Sequence, residues 1–340
     1  MKTEVLVVSP DAPDRALLAR AAEVLLRGGL VAFPTETVYG LGALADDAAC
    51  VARIFEAKGR PAYNPLIVHV LGEASARPLC AAWTETATRA ARAFWPGPLT
   101  LVLPRDARRV PDVVTAGGPT VAVRAPAHPV ARALLEATGR PLAAPSANRF
   151  QHLSPVTAAH VLKSLDGRVE LVLDGGRCPY GIESTVLDLT RATPTVLRPG
   201  ALALERLREV LGDVRVREEK APAVEGEALP SPGMLRKHYA PRARLVLARS
   251  DALEDALRAV RDEIGEGARV GVVRVGEGKS LAPGARVRAL PGDPMAYGAE
   301  LFAALHDLDD AGCDAVIVEA VPEGTAWEAV RDRLGRAASD

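Results

Sequence analysis

Four polar clusters, set among long apolar stretches, hold most of the side chains able to do chemistry. The first, Pro34-Thr35-Glu36-Thr37-Val38-Tyr39-Gly40-Leu41-Gly42, packs hydroxyls, a carboxylate and two glycines into a loop after an apolar run. Loops at strand ends commonly carry sites, while Thr and Gly equally serve turns. The second is Lys58-Gly59-Arg60-Pro61, followed by Asn64-Pro65 and a strand-like run containing His69. Two cations at a helix end either complement the helix dipole or clamp phosphate oxygens, lysine as a mobile point charge and arginine as a fork. In the third, Ala144-Pro145-Ser146-Ala147-Asn148, small residues let backbone amides and hydroxyls approach a ligand, and Ser154 beyond it is placed to cap the next helix. The fourth pairs Gly181-Ile182-Glu183-Ser184-Thr185 with Leu197-Arg198-Pro199-Gly200.

No Ser/His/Asp ordering, G-x-x-x-x-G-K-[ST] loop or H-E-x-x-H motif is present, which disfavours standard hydrolase, P-loop and zincin chemistry. His128, His152, His160 and His306 are dispersed and read as structural or surface residues, leaving His69 as the histidine nearest the chemistry. Cys50, Cys80, Cys178 and Cys313 lack C-x-x-C spacing, so they read as thiols in a reducing compartment rather than a zinc site or disulfide framework. A formal net charge of -1 exerts no global pull on DNA or RNA, so any tRNA contact has to be local and weak. With no secretory signal and no run of about 18 apolar residues, the expectation is a soluble cytoplasmic protein without a membrane segment.

The elements that must position these clusters follow from periodicity. Leu17, Leu18, Ala21, Val24 and Leu25 recur at helical spacing within Asp11 to Arg27, with Pro13 in the first turn and Gly28-Gly29 as the stop. Further helices are expected over about 47–57, 130–138 and 155–165, and strands at 30–33, 66–70, 99–103 and 121–124. Three closely spaced strand runs, 171–173, 185–189 and 195–197, leave no room for long crossovers and imply antiparallel or mixed pairing. Periodicity vanishes from Arg215 to Pro241, a stretch rich in Pro, Glu and Gly that reads as a linker. Strand runs at 244–247, 270–275 and 315–318 then alternate with helical patterns at 252–264, 294–308 and 326–337, the mark of a small three-layer α/β unit.

Taken in order, PTETVYGLG, KGRP with NPLIVHV, WPGPLTLVL, VAVRAP, APSAN and GIESTVLDL resemble the YrdC-like threonylcarbamoyl-AMP synthase family over about residues 8 to 212. SPGMLRKHYAP and the α/β pattern after it resemble the longer, two-domain form. The resemblance implies an α/β fold: a twisted, mixed, mostly antiparallel sheet with helices over residues 1–212, a linker passing over the active site at 213–241, and a small Rossmann-like three-layer domain at 242–340. It implies that L-threonine, bicarbonate and ATP, with Mg2+ on the phosphates, yield threonylcarbamoyl-adenylate and diphosphate. The product would pass to a tRNA threonylcarbamoyltransferase complex that modifies the adenosine 3' of the anticodon.

On the same resemblance, Thr35, His69, Arg124, Ala144 and Ser184 would surround threonine, and Lys58, Arg60, Asn64, Thr120, Ser146, Asn148, Ser154, Arg198 and Tyr239 would surround ATP. Lys58 and Arg60 would be the catalytic cations. The chemistry joins two anions, which explains a site rich in cations and without an obvious nucleophile or general base. Two other readings are a non-catalytic RNA-binding module and a carbamoyl-adenylating enzyme of the hydrogenase-maturation type, the second set against the absence of cysteine-rich zinc modules.

Overall fold

A computed structural model describes residues 2–217, 238–277 and 284–339, so most of the expected linker, 218–237, lies outside the described residues. The first helix spans Arg15–Leu26 and buries Leu18, Ala21, Ala22 and Leu25. It starts later than its periodicity suggested, because Asp14 is the cap: its carboxylate accepts from the amides of Ala16 and Leu17, leaving Pro13 outside.

Eleven of the described strands form one sheet: β1 (Glu4–Val7), β2 (Val31–Phe33), β3 (Gly40–Leu44), β4 (Ile67–His69), β5 (Leu99–Pro104), β6 (Thr120–Arg124), β7 (Leu142–Ala143), β8 (Leu171–Asp174), β9 (Thr185–Asp188), β10 (Thr195–Arg198) and β11 (Arg215–Val216). Their order is β1-β8-β2-β3-β7-β4-β6-β5-β9-β10-β11. The sheet is mixed, as the short spacings required. Antiparallel pairs, β2–β3, β3–β7, β7–β4, β5–β6 and β9–β10, dominate its middle. Parallel pairs β1–β8, β8–β2 and β10–β11 finish its edges, and β4–β6 and β5–β9 are parallel within. Of the three closely spaced runs, only β9 and β10 are neighbours, while β8 lies between β1 and β2.

The expected loop from Pro34 to Gly42 ends sooner than its composition indicated, because Gly40 already belongs to β3. Its glycines serve a close approach rather than a turn. Phe33 pairs with Gly40, and its ring lies so near β3 that a Cβ on Gly42 would come within 2.8 Å of it. Aromatic packing onto a bare strand thus replaces side chains that β3 lacks.

A second sheet is parallel throughout, with β12 (Arg244–Ala248), β13 (Val270–Val275), β14 (Ala285–Leu290) and β15 (Ala315–Glu319) in the order β12-β15-β13-β14. Alternate residues face opposite layers. Val270, Val272, Ala315 and Ile317 meet Leu253, Leu257 and Val260 of the helix Leu253–Ile264. Val273, Val316 and Val318 join the main core with Leu301, Phe302 and Leu305 of the helix Pro294–Asp310. That 17-residue helix is buried almost all round, as expected of a helix held between two layers. The apolar core therefore runs without a break from the large sheet into the smaller unit. The cysteines are free, and among the described residues no helix is long and apolar enough to cross a membrane.

Candidate active site

The polar clusters meet over the middle of the large sheet, where the β2–β3 loop, the ends of β4 and β6, the loop after β7 and the β9–β10 pair surround one cavity. Register explains the convergence. His69 pairs with Arg124, Arg124 with Thr100, and Thr100 Oγ1 lies 2.8 Å from Ser184 Oγ, so residues far apart in sequence line up across β4, β6, β5 and the residue leading into β9.

Helix Ala48–Lys58 ends in Gly59, which takes the left-handed conformation (φ +61°) that closes a helix C-terminus. The turn sends Lys58 and Arg60 to different tasks. Lys58 Nζ donates to the carbonyls of Ser146 (2.5 Å) and Asn148, and so staples the Ala144–Asn148 loop to the helix. Burial, then Arg60, holds its ammonium well below the ordinary lysine value. Arg60 lines the cavity, its guanidinium anchored on Asn64 Oδ1 (2.5 Å) and the Pro65 carbonyl (2.8 Å).

Arg124 does not stand free beside the cavity. It lies 2.7 Å from the Glu36 carboxylate, which also accepts the Ala127 amide at 2.9 Å. Arg198 rests on the Ser184 carbonyl (2.8 Å). Burial lowers Arg198 below the usual guanidinium value and Arg60 to about 9, where the Arg60 guanidinium keeps its charge at neutral pH. Burial and Arg124 push His69 down to about 3, so its ring is neutral at physiological pH.

Of the residues expected around threonine, Thr35, His69, Arg124, Ala144 and Ser184 all line the cavity. The Thr35 hydroxyl, however, is committed to its own turn, donating to the Val38 carbonyl at 2.6 Å. Of those expected around ATP, Arg60, Ser146, Arg198 and Tyr239 line it. Lys58, Asn64, Thr120, Asn148 and Ser154 do not: the first two act through their neighbours, and Thr120 pairs with Pro104 at the far end of β6. Asn148 Nδ2 donates to the His152 carbonyl at 2.7 Å. Ser154 is not the cap expected for the next helix. Thr157 caps it, and the Ser154 hydroxyl bonds the Glu183 carboxylate at 2.5 Å instead.

Among the lining residues that the sequence reading left without a role are Glu183, His238, Thr37 and Tyr39. Glu183 sat in view within a quoted motif but was given no role, whereas His238 lay in a stretch without periodicity and Thr37 beside the chosen Thr35. His238 and Tyr239 are the described end of the expected linker, and both are buried. Tyr239 has φ +63°, and its ring packs on His238 and Phe302, at centroid distances of 4.0 and 5.8 Å. Its hydroxyl, His69 Nδ1 and His238 Nδ1 are buried without hydrogen-bond partners. Orphaned polar atoms of this kind on a cavity wall are what a polar ligand would satisfy.

The cavity measures about 50 Å³, far below the several hundred that a nucleotide-sized ligand occupies. Among the described residues its chemistry is cationic, with Arg60, Arg124 and Arg198 set against one lining carboxylate, Glu183. Among the described residues no lining hydroxyl is hydrogen-bonded to a lining imidazole, and no group of three His, Cys, Asp or Glu side chains could hold a metal ion.

Comparison with known proteins agrees with this geometry. The family described as Telomere recombination (Sua5, YciO, YrdC) matches residues 23–200, and the threonylcarbamoyl-AMP synthase C-terminal domain matches 202–339. The threonylcarbamoyl-AMP synthase of Pyrococcus abyssi is 44% identical over 93% of this chain and 92% of its own length, and that of Bacillus subtilis 39% over 94% and 92%. A crystal structure of Pyrococcus abyssi Sua5 complexed with L-threonine superposes with a TM-score of 0.90 at 40% identity, covering 99% of this chain and 98% of the other. With both units matched end to end, this chain belongs to the Sua5/YrdC family in its two-domain form.

Proposed function

We propose that the chain makes L-threonylcarbamoyl-adenylate from L-threonine, bicarbonate and ATP, releasing diphosphate. The observation that carries this reading is the convergence of Arg60, Arg124 and Arg198 on a cavity whose wall, among the described residues, offers no base-activated nucleophile. Such a wall suits a reaction in which the substrates supply both nucleophile and leaving group and the protein supplies position and positive charge. Relatives that match both units carry the name of this activity.

In this reading the threonine carboxylate lies against Arg124, and the unpartnered Nδ1 of neutral His69 accepts a hydrogen bond from its ammonium or hydroxyl. A group with a pKa of about 3 is too weak a base to take the ammonium proton, so His69 orients rather than deprotonates. Once the ammonium proton has passed to solvent, the amine nitrogen bonds the carbon of bicarbonate, which expels water as a C–O bond breaks, or of carbon dioxide, whose C=O π electrons move onto oxygen as the nitrogen gives up a second proton to solvent, and a carbamate results. A carbamate oxygen then attacks the α-phosphorus of ATP as the bond to the β-phosphate oxygen breaks. Arg60 and Arg198 offset the charge on the phosphates, while Lys58, from behind, fixes the Ser146 loop on which they rest.

Mg2+ enters with ATP. Among the described residues the one lining carboxylate, Glu183, is already engaged, so this donor set does not suit a resident ion, and phosphates commonly supply most of the ligands for this metal. We assign residues 1–212 to the catalytic domain, 213–241 to a linker whose buried end covers the site, and 242–340 to the C-terminal domain. A cover has a physical purpose because the mixed carbamate and adenylate product hydrolyses in water. ATP and free thiols suit a cytoplasmic setting, with the product consumed by a tRNA-modifying partner.

The test is diphosphate release by the full chain. Release that requires threonine, bicarbonate and ATP together supports the reading; release without threonine, or none, sinks it. A chain ending at Gly212 should lose protection of the product, and unchanged turnover and product lifetime would exclude the linker's role.

A further inference from the structure

One arginine of the C-terminal unit reaches the site without lining it. Arg333, on the helix Glu328–Ala337, is fully buried, and its Nε donates to Glu183 Oε2 at 2.7 Å. The other oxygen of Glu183 accepts the Ser154 hydroxyl, so the carboxylate is held from both sides at the cavity wall. The same guanidinium stands over the Tyr239 ring, 5.1 Å from its centroid, and is tied to Asp332 at 2.5 Å. Asp332 is itself braced by Arg336, whose carbonyl accepts the His238 amide. One planar cation therefore touches a cavity carboxylate and a cavity ring, and its helix holds the backbone leading into them.

We propose that Arg333 is a positioning residue for the reaction, a latch by which the C-terminal unit fixes the Glu183 carboxylate and seats the Tyr239 ring against the cavity. It rests on the functional reading above. A fork that donates to a carboxylate while stacking on an aromatic face is something lysine does not reproduce. A buried cation placed only to join two units would have no need of a cavity-lining partner on either side. Here both partners line the cavity. The Nη2 atom of Arg333 is buried with no hydrogen-bond partner, so the guanidinium keeps a donor in reserve beside the site.

The test is a double-mutant cycle in the full chain, Arg333→Met, Glu183→Gln and the two combined, with Arg333→Lys alongside. Threonine-dependent diphosphate release and the denaturation midpoint are measured for each. Arg333→Met is expected to lower kcat by about 10- to 100-fold, the scale of a displaced positioning group, with KM for ATP and threonine within about threefold of the parent. The double variant should lose no more than the worse single variant, because both substitutions break one contact. Arg333→Lys should recover the midpoint but not kcat. The latch is overturned if Arg333→Met lowers the midpoint and leaves kcat within about twofold, or if the two losses multiply. A parent chain with no threonine-dependent release removes the functional reading and the latch together, whereas an active parent with an indifferent Arg333 removes the latch alone.

Discussion

The guanidinium of Arg124 and the carboxylate of Glu36 lie 2.7 Å apart, with both side chains only about 5% exposed. The pair offsets the charge of Arg124, so that in the reading proposed above a zwitterionic amino acid would meet a matched wall. It also means that neither residue can be altered alone without leaving a buried charge.

Arg124→Met should therefore lower stability by about 3–5 kcal/mol as well as abolish threonine binding. Glu36→Gln keeps an acceptor for the Ala127 amide and frees Arg124, so it should tighten threonine binding while lowering the midpoint. Titration calorimetry with threonine beside urea denaturation separates the two effects. Equal threonine affinity in Glu36→Gln and the parent would show that the pair does not tune the site.

Lys58→Met removes the staple on the Ser146–Asn148 loop while leaving its methylene stem in place. We expect turnover to fall by about 10- to 100-fold, the scale of a misplaced positioning element. The amide of Ala147, which donates to the Tyr39 carbonyl at 2.8 Å, should exchange faster with solvent. Lost turnover with unchanged exchange there would instead put Lys58 directly on the phosphates.

How much of this was legible in the sequence depends on the range of each contact. The polar clusters and the helix stop at Gly28-Gly29 were readable because turn chemistry acts within a few residues, but the caps were not, since Asp14 and Thr157 cap where Pro13 and Ser154 drew attention. β3 was hidden because glycines disguise a strand whose partner is an aromatic ring on β2. Glu36 with Arg124, 88 positions apart, and Glu183 with Arg333, 150 apart, leave no local trace: each carboxylate looks like any loop acid until the sheet brings its arginine alongside. His238 was missed for a related reason, since a buried residue at the end of an aperiodic stretch has no pattern to announce it.

Gly42→Ala should cost about 1–3 kcal/mol, since its Cβ would fall 2.8 Å from the Phe33 ring and 3.3 Å from the Val31 carbonyl. Because β3 starts where the Thr35 turn ends, the KM for threonine should rise as well. Denaturation midpoints and steady-state kinetics test both, and an unshifted midpoint would mean that Phe33 moves aside freely.

Stability should fall as solutions are acidified below pH 6.5. His306 stacks on His160 at 3.8 Å across the junction of the two units and donates through Nε2 to the Ser154 carbonyl at 3.1 Å. Burial, then His160, pushes it down to about 3, and His69 is shifted likewise. The unfolded chain binds protons between about pH 6.5 and 3 that the folded chain refuses, so the histidines favour folding above 6.5 and lose that contribution as pH drops. His306 alone accounts for about 2 kcal/mol between pH 6.5 and 5. In His306→Gln the dependence of urea stability on pH should flatten by about one proton, and a slope equal to the parent's would contradict the assignment.

Tyr239 enters the cavity with φ +63°, a region that bulky side chains avoid at a cost of about 1–2 kcal/mol. Its contacts with His238, Phe302 and Arg333 must outweigh that cost for the ring to stay seated. The backbone is thus pre-loaded toward withdrawal, like a bent spring under a catch, and whatever loosens the C-terminal contacts releases it. The C-terminal contacts thus hold a backbone conformation that this residue would not choose alone.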